Sequence, residues 1–245
     1  MPFNIGLNRM LRPDLIIDIG AHTGEDTQFY VDKGFSVVAV EANPTLVDGL
    51  KARFASEITK GIVTIEPFAL GDSAGTVSFF VHKSEAVFST LKIDPQRQNS
   101  GDFDEIKIRS IPASSVFRRH GTPYYLKIDI EGGELAVVRS LEQFSKPKYL
   151  SFEVSKDYGE ILHLLRRYGY TSFKLVDQSL NPALGCPYPP LEGRFVNTGF
   201  LGHMSGPFGE EASGIWADLE KAEDEIKNAN WQQGHWYDIH ASLAH

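Results

Sequence analysis

Short apolar runs recur along the chain, each followed by a longer stretch of helical period, and this alternation limits its possible folds more than any other feature. Leu15 to Ile19, Ser36 to Val40, Ile62 to Ile65, Tyr124 to Ile128 and Tyr149 to Val154 are rich in Val, Ile, Leu and aromatic residues. Runs that do not alternate with polar residues suit strands buried on both faces, as in a parallel sheet covered by helices on both sides. Between them, Thr45 to Phe54 places Leu46, Leu50 and Phe54 on one helical face, and Ile161 to Tyr168 repeats the pattern before Gly169. The expected fold is α/β, a Rossmann-like three-layer sandwich around a mostly parallel sheet.

Thr76 to Val81 and Glu105 to Ile111 read as extra strands, so the block at about 72–111 reads as an insertion between the third and fourth core strands. Ser172 to Val176 and, after a Pro- and Gly-rich connection, Asn197 to Leu201 complete seven strands. The last has no crossover helix before it, which suits antiparallel pairing. From Ser213 a helical stripe of Ile215, Leu219, Ala222 and Ile226 begins. The expected division is a single domain over 1–210 with a helical extension over 211–245 packed back on it, sealed by Trp231, Trp236 and Tyr237.

A formal net charge of −8 argues against a nucleic-acid partner, because phosphate backbones need clustered Lys and Arg. The lone cysteine, Cys186, offers neither an internal disulfide nor a zinc set, and no apolar run of about 18 residues appears. A cytoplasmic protein with no membrane span is expected.

The segment Asp18-Ile-Gly-Ala-His-Thr-Gly24 ends the first strand and opens a helix, where tight turns and backbone N–H groups let a charged ligand approach. Glu41 closes the second strand about twenty residues later, a position from which a carboxylate can bind ribose hydroxyls. Together they indicate an adenosine-bearing cofactor. A dinucleotide site wants G-x-G-x-x-G, and here the second glycine is His22, which would crowd a pyrophosphate. S-adenosylmethionine carries no phosphate, and Asp18, Thr23 and Thr27 can meet its amino-acid part.

These residues, with Val40-Glu-Ala-Asn-Pro44, Ala69-Leu-Gly-Asp72 and Leu126-Lys-Ile-Asp-Ile-Glu-Gly-Gly-Glu134, resemble the signature blocks of the FkbM-type methyltransferases over about residues 15 to 155. The resemblance implies a seven-stranded class I methyltransferase fold, S-adenosyl-L-methionine as donor, and O-methylation of a hydroxyl on a saccharide or natural product. Carried over by position, Gly20, Ala21, His22, Thr23 and Gly24 would surround the methionine part. Glu41, with Ala42 beside it, would hold the ribose, and Ala69 and Leu70 would flank adenine. Ser110-Ile-Pro112 stands where the family often reads Thr-Leu-Asp, so any role of that aspartate is lost or moved.

Methyl transfer needs an aligned acceptor and help with its deprotonation. Asp129, Glu131 and Glu153 follow or end the fourth and fifth strands, on the side where open α/β sheets bind ligands, and are the expected catalytic carboxylates; Asp129 also counts toward the cofactor. The same acids could instead favour a helix N-terminus, or hold Mg²⁺; no metal is assigned. His22 can reach the site, whereas His203 is expected on the far face if Asn197 to Leu201 runs antiparallel, leaving Asn197 and Thr198 near the active face. Gln178 to Arg194 is expected as a lid over the acceptor, with Phe88, Ser89 and Thr90 as a second wall. Two other classes stay open: an NAD(P)-dependent oxidoreductase and an inactive binding protein of the same fold.

Overall fold

In the computed structural model, residues 11–84, 89–91, 93, 100–130, 132–232 and 234–243 are described. The first strand, β1 (Leu11–Ile19), is a run whose side chains divide by period two. Leu15, Ile17 and Ile19 enter one buried cluster, while Ile16 enters another on the opposite face. A strand buried on both sides needs a helical layer on each.

One layer contains α1 (Glu25–Asp32) and α2 (Pro44–Arg53), whose Phe29, Tyr30 and Leu50 meet Ile16. Asn43 caps α2 by accepting from the Thr45 N–H, with Pro44 at the first helical position, a start worth about 1 kcal/mol. The other layer contains α4 (Ser114–His120), α5 (Glu134–Ser140), α6 (Tyr158–Arg167) and α7 (Leu219–Asn228), which bury Phe117, Val138, Leu165 and Ile226. A short α3 (Ala55–Thr59) leads into β3 (Val63–Glu66).

The central sheet has seven strands in the order β3-β2-β1-β7-β8-β10-β9. It comprises β2 (Ser36–Val40), β7 (Thr122–Ile128), β8 (Tyr149–Glu153), β9 (Ser172–Asp177) and β10 (Tyr237–Ser242) besides β1 and β3. Pairing is parallel from β3 through β8, and β10 runs antiparallel to both β8 and β9. This is the expected three-layer, mostly parallel α/β sheet. The block after β3 forms a second sheet of β4 (Ala69–Gly71), β5 (Gly75–His82) and β6 (Phe103–Pro112), with β6 in the middle.

Two expectations are corrected. The seventh strand is Tyr237–Ser242, not Asn197 to Leu201, which contributes only an isolated bridge from Gly199 to Gly185. The segment expected as a helical extension packed on the domain does supply such a helix, α7, and it also supplies β10, which lies inside the sheet. The Gln178 to Arg194 connection does not arch over the ligand face. Lys33, just past the C-terminal end of α1, donates to the Glu192 and Arg194 carbonyls at 2.7 and 3.1 Å, and its buried ammonium pairs with Glu211 at 2.7 Å. These bonds fix the Pro-rich segment at the end of α1 remote from Gly24.

Candidate functional site

The turn from β1 into α1 is backbone packed on backbone. Gly20 has φ +86°, and a Cβ there would lie 1.7 Å from the Asp129 carbonyl oxygen. Its N–H donates to the Val40 carbonyl at 2.9 Å, and the Asp129 N–H donates to the Ile19 carbonyl at 2.9 Å. The ends of β2, β1 and β7 are thereby locked side by side. Gly24, at φ +89°, opens α1, where a Cβ would strike Phe54 and Leu50 at 2.6 and 2.7 Å. His22 between them also takes a positive φ of 49°.

The same turn aims the Glu41 carboxylate. It accepts from the His22 N–H at 2.9 Å and from the Ala42 and Asn43 N–H groups at 2.8 Å each. Burial pushes its pKa up while these amides pull it down, with a net rise.

Beneath the turn lies a charge cluster that periodicity does not foretell. Lys127 of β7 is buried, with its ammonium 3.3 Å from Asp18, 3.4 Å from Asp26 and 3.4 Å from Asp129. Burial would depress the Lys127 pKa, but the three carboxylates hold it well above its usual value. Asp18 also accepts from the Thr27 hydroxyl at 2.6 Å. Asp26 accepts from the Ser205 N–H at 3.1 Å, and burial raises its pKa to about 6 against the opposing pull of Lys127. The available signal was a lone Lys inside the apolar run Tyr124 to Ile128, because an unpaired charge is almost never buried.

Above this cluster opens a cavity of about 430 Å³, within the range usual for small-molecule sites. Val40, Leu46, Phe68, Leu70, Phe79 and Leu91 give it an apolar wall. Of the sequence candidates, Gly20, Ala21, His22, Glu41, Ala42, Ala69, Leu70, Asp129 and Glu153 line it. Asp18 and Thr27 are fully buried below it, and neither they nor Thr23 and Gly24 line it. Glu131 and Phe88 fall outside the described residues; Ser89 lines the cavity, and Thr90 bridges to Phe80.

His203, expected on the far face, lines the cavity, with its ring 6.0 Å from that of His22. The reason is the corrected strand: residues 201–206 form a loop over the cleft, held by Asp26. Burial, then the nearby His203, lowers the His22 pKa, favouring the neutral imidazole. Asn197 and Thr198 do not line the cavity. Gln178, the first residue of the expected lid segment, does line it, as do Trp236 and Asp238, which were not anticipated. Asp238 lies on β10, and burial together with Asp129 raises its pKa well above the carboxylate range. Among the described residues, no group of three or more His, Cys, Asp or Glu side chains could hold a metal ion, and no helix is long and apolar enough to cross a membrane.

The solved structure of methyltransferase FkbM from Methylobacillus flagellatus KT is 20% identical, over 66% of this chain and 40% of that one, with a TM-score of 0.42. Precorrin-6y C5,15-methyltransferase from Geobacter metallireducens GS-15 is 13% identical over 96% and 83%, with a TM-score of 0.37. The chain thus spans well under two thirds of the first of these relatives. No curated protein matches it. Residues 18–172, which include the Gly20 turn, Glu41 and Asp129, match the methyltransferase FkbM domain, and the chain belongs to that family.

Proposed function

We propose that the protein transfers the methyl group of S-adenosyl-L-methionine to an oxygen of a small molecule or saccharide, leaving S-adenosyl-L-homocysteine. The observation that carries this reading is one cavity lined by the Gly20 turn and the Glu41 carboxylate, then, along the neighbouring strands of the sheet, by Asp129, Glu153 and Asp238. The residues present fit such a donor. The backbone at Gly20 leaves no room for a Cβ, the Glu41 carboxylate is fixed by three amides, and an apolar wall of adenine's character stands beside it. When bound, the donor would supply an electrophilic methyl group on a sulfonium.

Gly20, Ala21 and His22 would border the methionine part, with Thr23 and Gly24 shaping the turn. Asp18 and Thr27 would act from below, by holding Lys127 and the start of α1. Three of the roughly four acceptor sites of the Glu41 carboxylate are taken by amides, which leaves Oε2 to receive a ribose hydroxyl. Ala42, Ala69 and Leu70 would flank the base. Asp129, whose side chain is 40% exposed and 3.4 Å from Lys127, would orient the acceptor hydroxyl and take its proton, with Glu153 beside it.

The nicotinamide alternative is disfavoured by charge. Among the described lining residues the Lys or Arg side chain is Lys127, already surrounded by three carboxylates, a poor host for a pyrophosphate. Calorimetry with S-adenosylmethionine and NAD tests the reading. Binding of the first, weakened at least about tenfold in Glu41→Ala, is expected; tight NAD binding with no S-adenosylmethionine binding would overturn it.

A further inference from the structure

The family match ends at residue 172, yet the cleft is closed by side chains beyond it. Gln178, at the end of β9, is 2% exposed and lines the cavity, and its amide nitrogen is buried with no hydrogen-bond partner. The main chain holds it in place: the Gln178 N–H donates to the Trp236 carbonyl at 2.9 Å. A buried donor left unmade costs about 1–3 kcal/mol, so a native protein keeps one where something else completes it.

The orientation of that amide follows from its neighbours. The Met204 carbonyl can only accept, and it lies 2.7 Å from the Asn181 side-chain nitrogen. Asn181 must therefore turn its NH₂ group toward Met204, and the same NH₂ group faces the Gln178 side chain and donates to its oxygen. With its oxygen committed to Asn181, Gln178 is left with an NH₂ group on the other side and two N–H bonds to give. A chain of one carbonyl and one asparagine thus fixes the polarity of a third side chain at the cavity wall.

We propose that Gln178 is a specificity-determining residue that donates a hydrogen bond to an oxygen of the methyl acceptor, and that the acceptor is electrically neutral at that end. The proposal rests on the donor reading given above. Neutrality follows from the neighbours: Asp129 and Glu153 line the same cavity, and the ammonium of Lys127 is already divided among Asp18, Asp26 and Asp129. A carboxylate or phosphate placed here would meet acids with no spare cation, whereas a hydroxyl both accepts from Gln178 and donates to a carboxylate. Asn181, which does not itself line the cavity, is a positioning residue acting through Gln178.

The test uses the full chain, nitrogen-labelled and loaded with S-adenosylhomocysteine. It is titrated with methyl glucopyranoside, myo-inositol and catechol as neutral hydroxyl probes, and with gluconate and glycerol phosphate as anionic ones. The Gln178 side-chain N–H pair is assigned by its absence from the spectrum of Gln178→Leu. A neutral probe is expected to shift that pair, and its affinity should fall about tenfold or more in Gln178→Leu and in the isosteric Gln178→Glu, with S-adenosylhomocysteine affinity within about twofold of wild type. Asn181→Leu, which frees Gln178 to turn, should weaken the probe while the pair remains visible. Unchanged probe affinity in Gln178→Glu, preference for an anionic probe, or no binding by any neutral probe overturns the proposal. Failure of S-adenosylhomocysteine itself to bind overturns the donor reading first and this one with it.

Discussion

At the Gly20 end of the cleft the wall is mostly main chain: a glycine with no room for a Cβ, three strand ends tied by N–H to carbonyl bonds, and a carboxylate fixed by three amides. At the Gln178 end the wall is side chains carried by two antiparallel strands and a loop, with Gln178, Trp236 and Asp238 brought together from positions almost sixty residues apart. The first arrangement tolerates almost no substitution, which suits a ligand whose shape does not change. The second can be rewritten one side chain at a time without disturbing the sheet, which suits a partner that differs among proteins sharing a fold.

The sharpest break of that contrast is Gly20→Ala. One methyl group would lie 1.7 Å from the Asp129 carbonyl oxygen, at a φ that side chains rarely adopt. Strain and overpacking together should cost roughly 4 kcal/mol of stability, read as a lowered urea midpoint. A loss below about 1 kcal/mol would show that the strand ends can part, and that this wall is not rigid. Next is the anchor that carries the chain from one end to the other. In Lys33→Ala the Glu211 carboxylate, fully buried in the wild type, keeps no cation, at a cost of about 3 kcal/mol. The double change Lys33→Met with Glu211→Gln, which removes both charges and keeps an oxygen for the Leu191 and Glu192 N–H groups, should recover part of it, and a double variant as unstable as the single one would assign the loss to packing.

Legibility followed the same divide. β2, β8 and the apolar half of β1 were readable because each buries nearly every side chain, so the sequence is a plain apolar run. The Gly20 turn and Glu41 were readable because backbone geometry leaves a residue-type signature. β10 was read differently: Tyr-Asp-Ile-His-Ala-Ser alternates apolar with polar residues, the pattern of a half-exposed strand, whereas the structure carries Asp238, His240 and Ser242 into the interior as well. Asn197 to Leu201 looked more like a strand than the real one did. The buried pair of Lys33 with Glu211 joins residues 178 positions apart, and the loop it fixes moved with it, taking the expected lid away and bringing His203 in.

Asp129 stands where the two ends meet, its main chain in the rigid wall and its carboxylate in the open cleft. Asp129→Asn keeps the size and the N–H to Ile19, and removes the charge. Turnover should drop about a hundredfold, the usual worth of a positioned base, while S-adenosylmethionine affinity shifts by no more than a few-fold. Equal losses in both would place Asp129 with the cofactor alone.

The smallest effect expected is electrostatic, and it tests how the loop over the cleft is held. Asp26 sits in the first turn of α1 and accepts the Ser205 N–H, so it links the rigid turn to the loop bearing His203. Burial, helped by Asp18 and Asp129, opposes the charged form and outweighs Lys127 and the Ser205 N–H, which favour it, so that the Asp26 pKa rises to about 6. Because the folded value lies above the unfolded one, the neutral acid favours the folded chain. That contribution is complete below the ordinary value of 3.8 and is lost as pH rises through about 6. Asp26→Asn stays neutral at every pH and still offers an oxygen to Ser205. Its unfolding free energy minus that of the wild type should therefore climb between about pH 4 and pH 6, by on the order of 1 kcal/mol, and level off above. Urea unfolding across that range measures it. A difference that stays flat would mean that Asp26 is ionised throughout, held by Lys127, and that the loop is tied to the rigid wall by an ion pair which acid does not release.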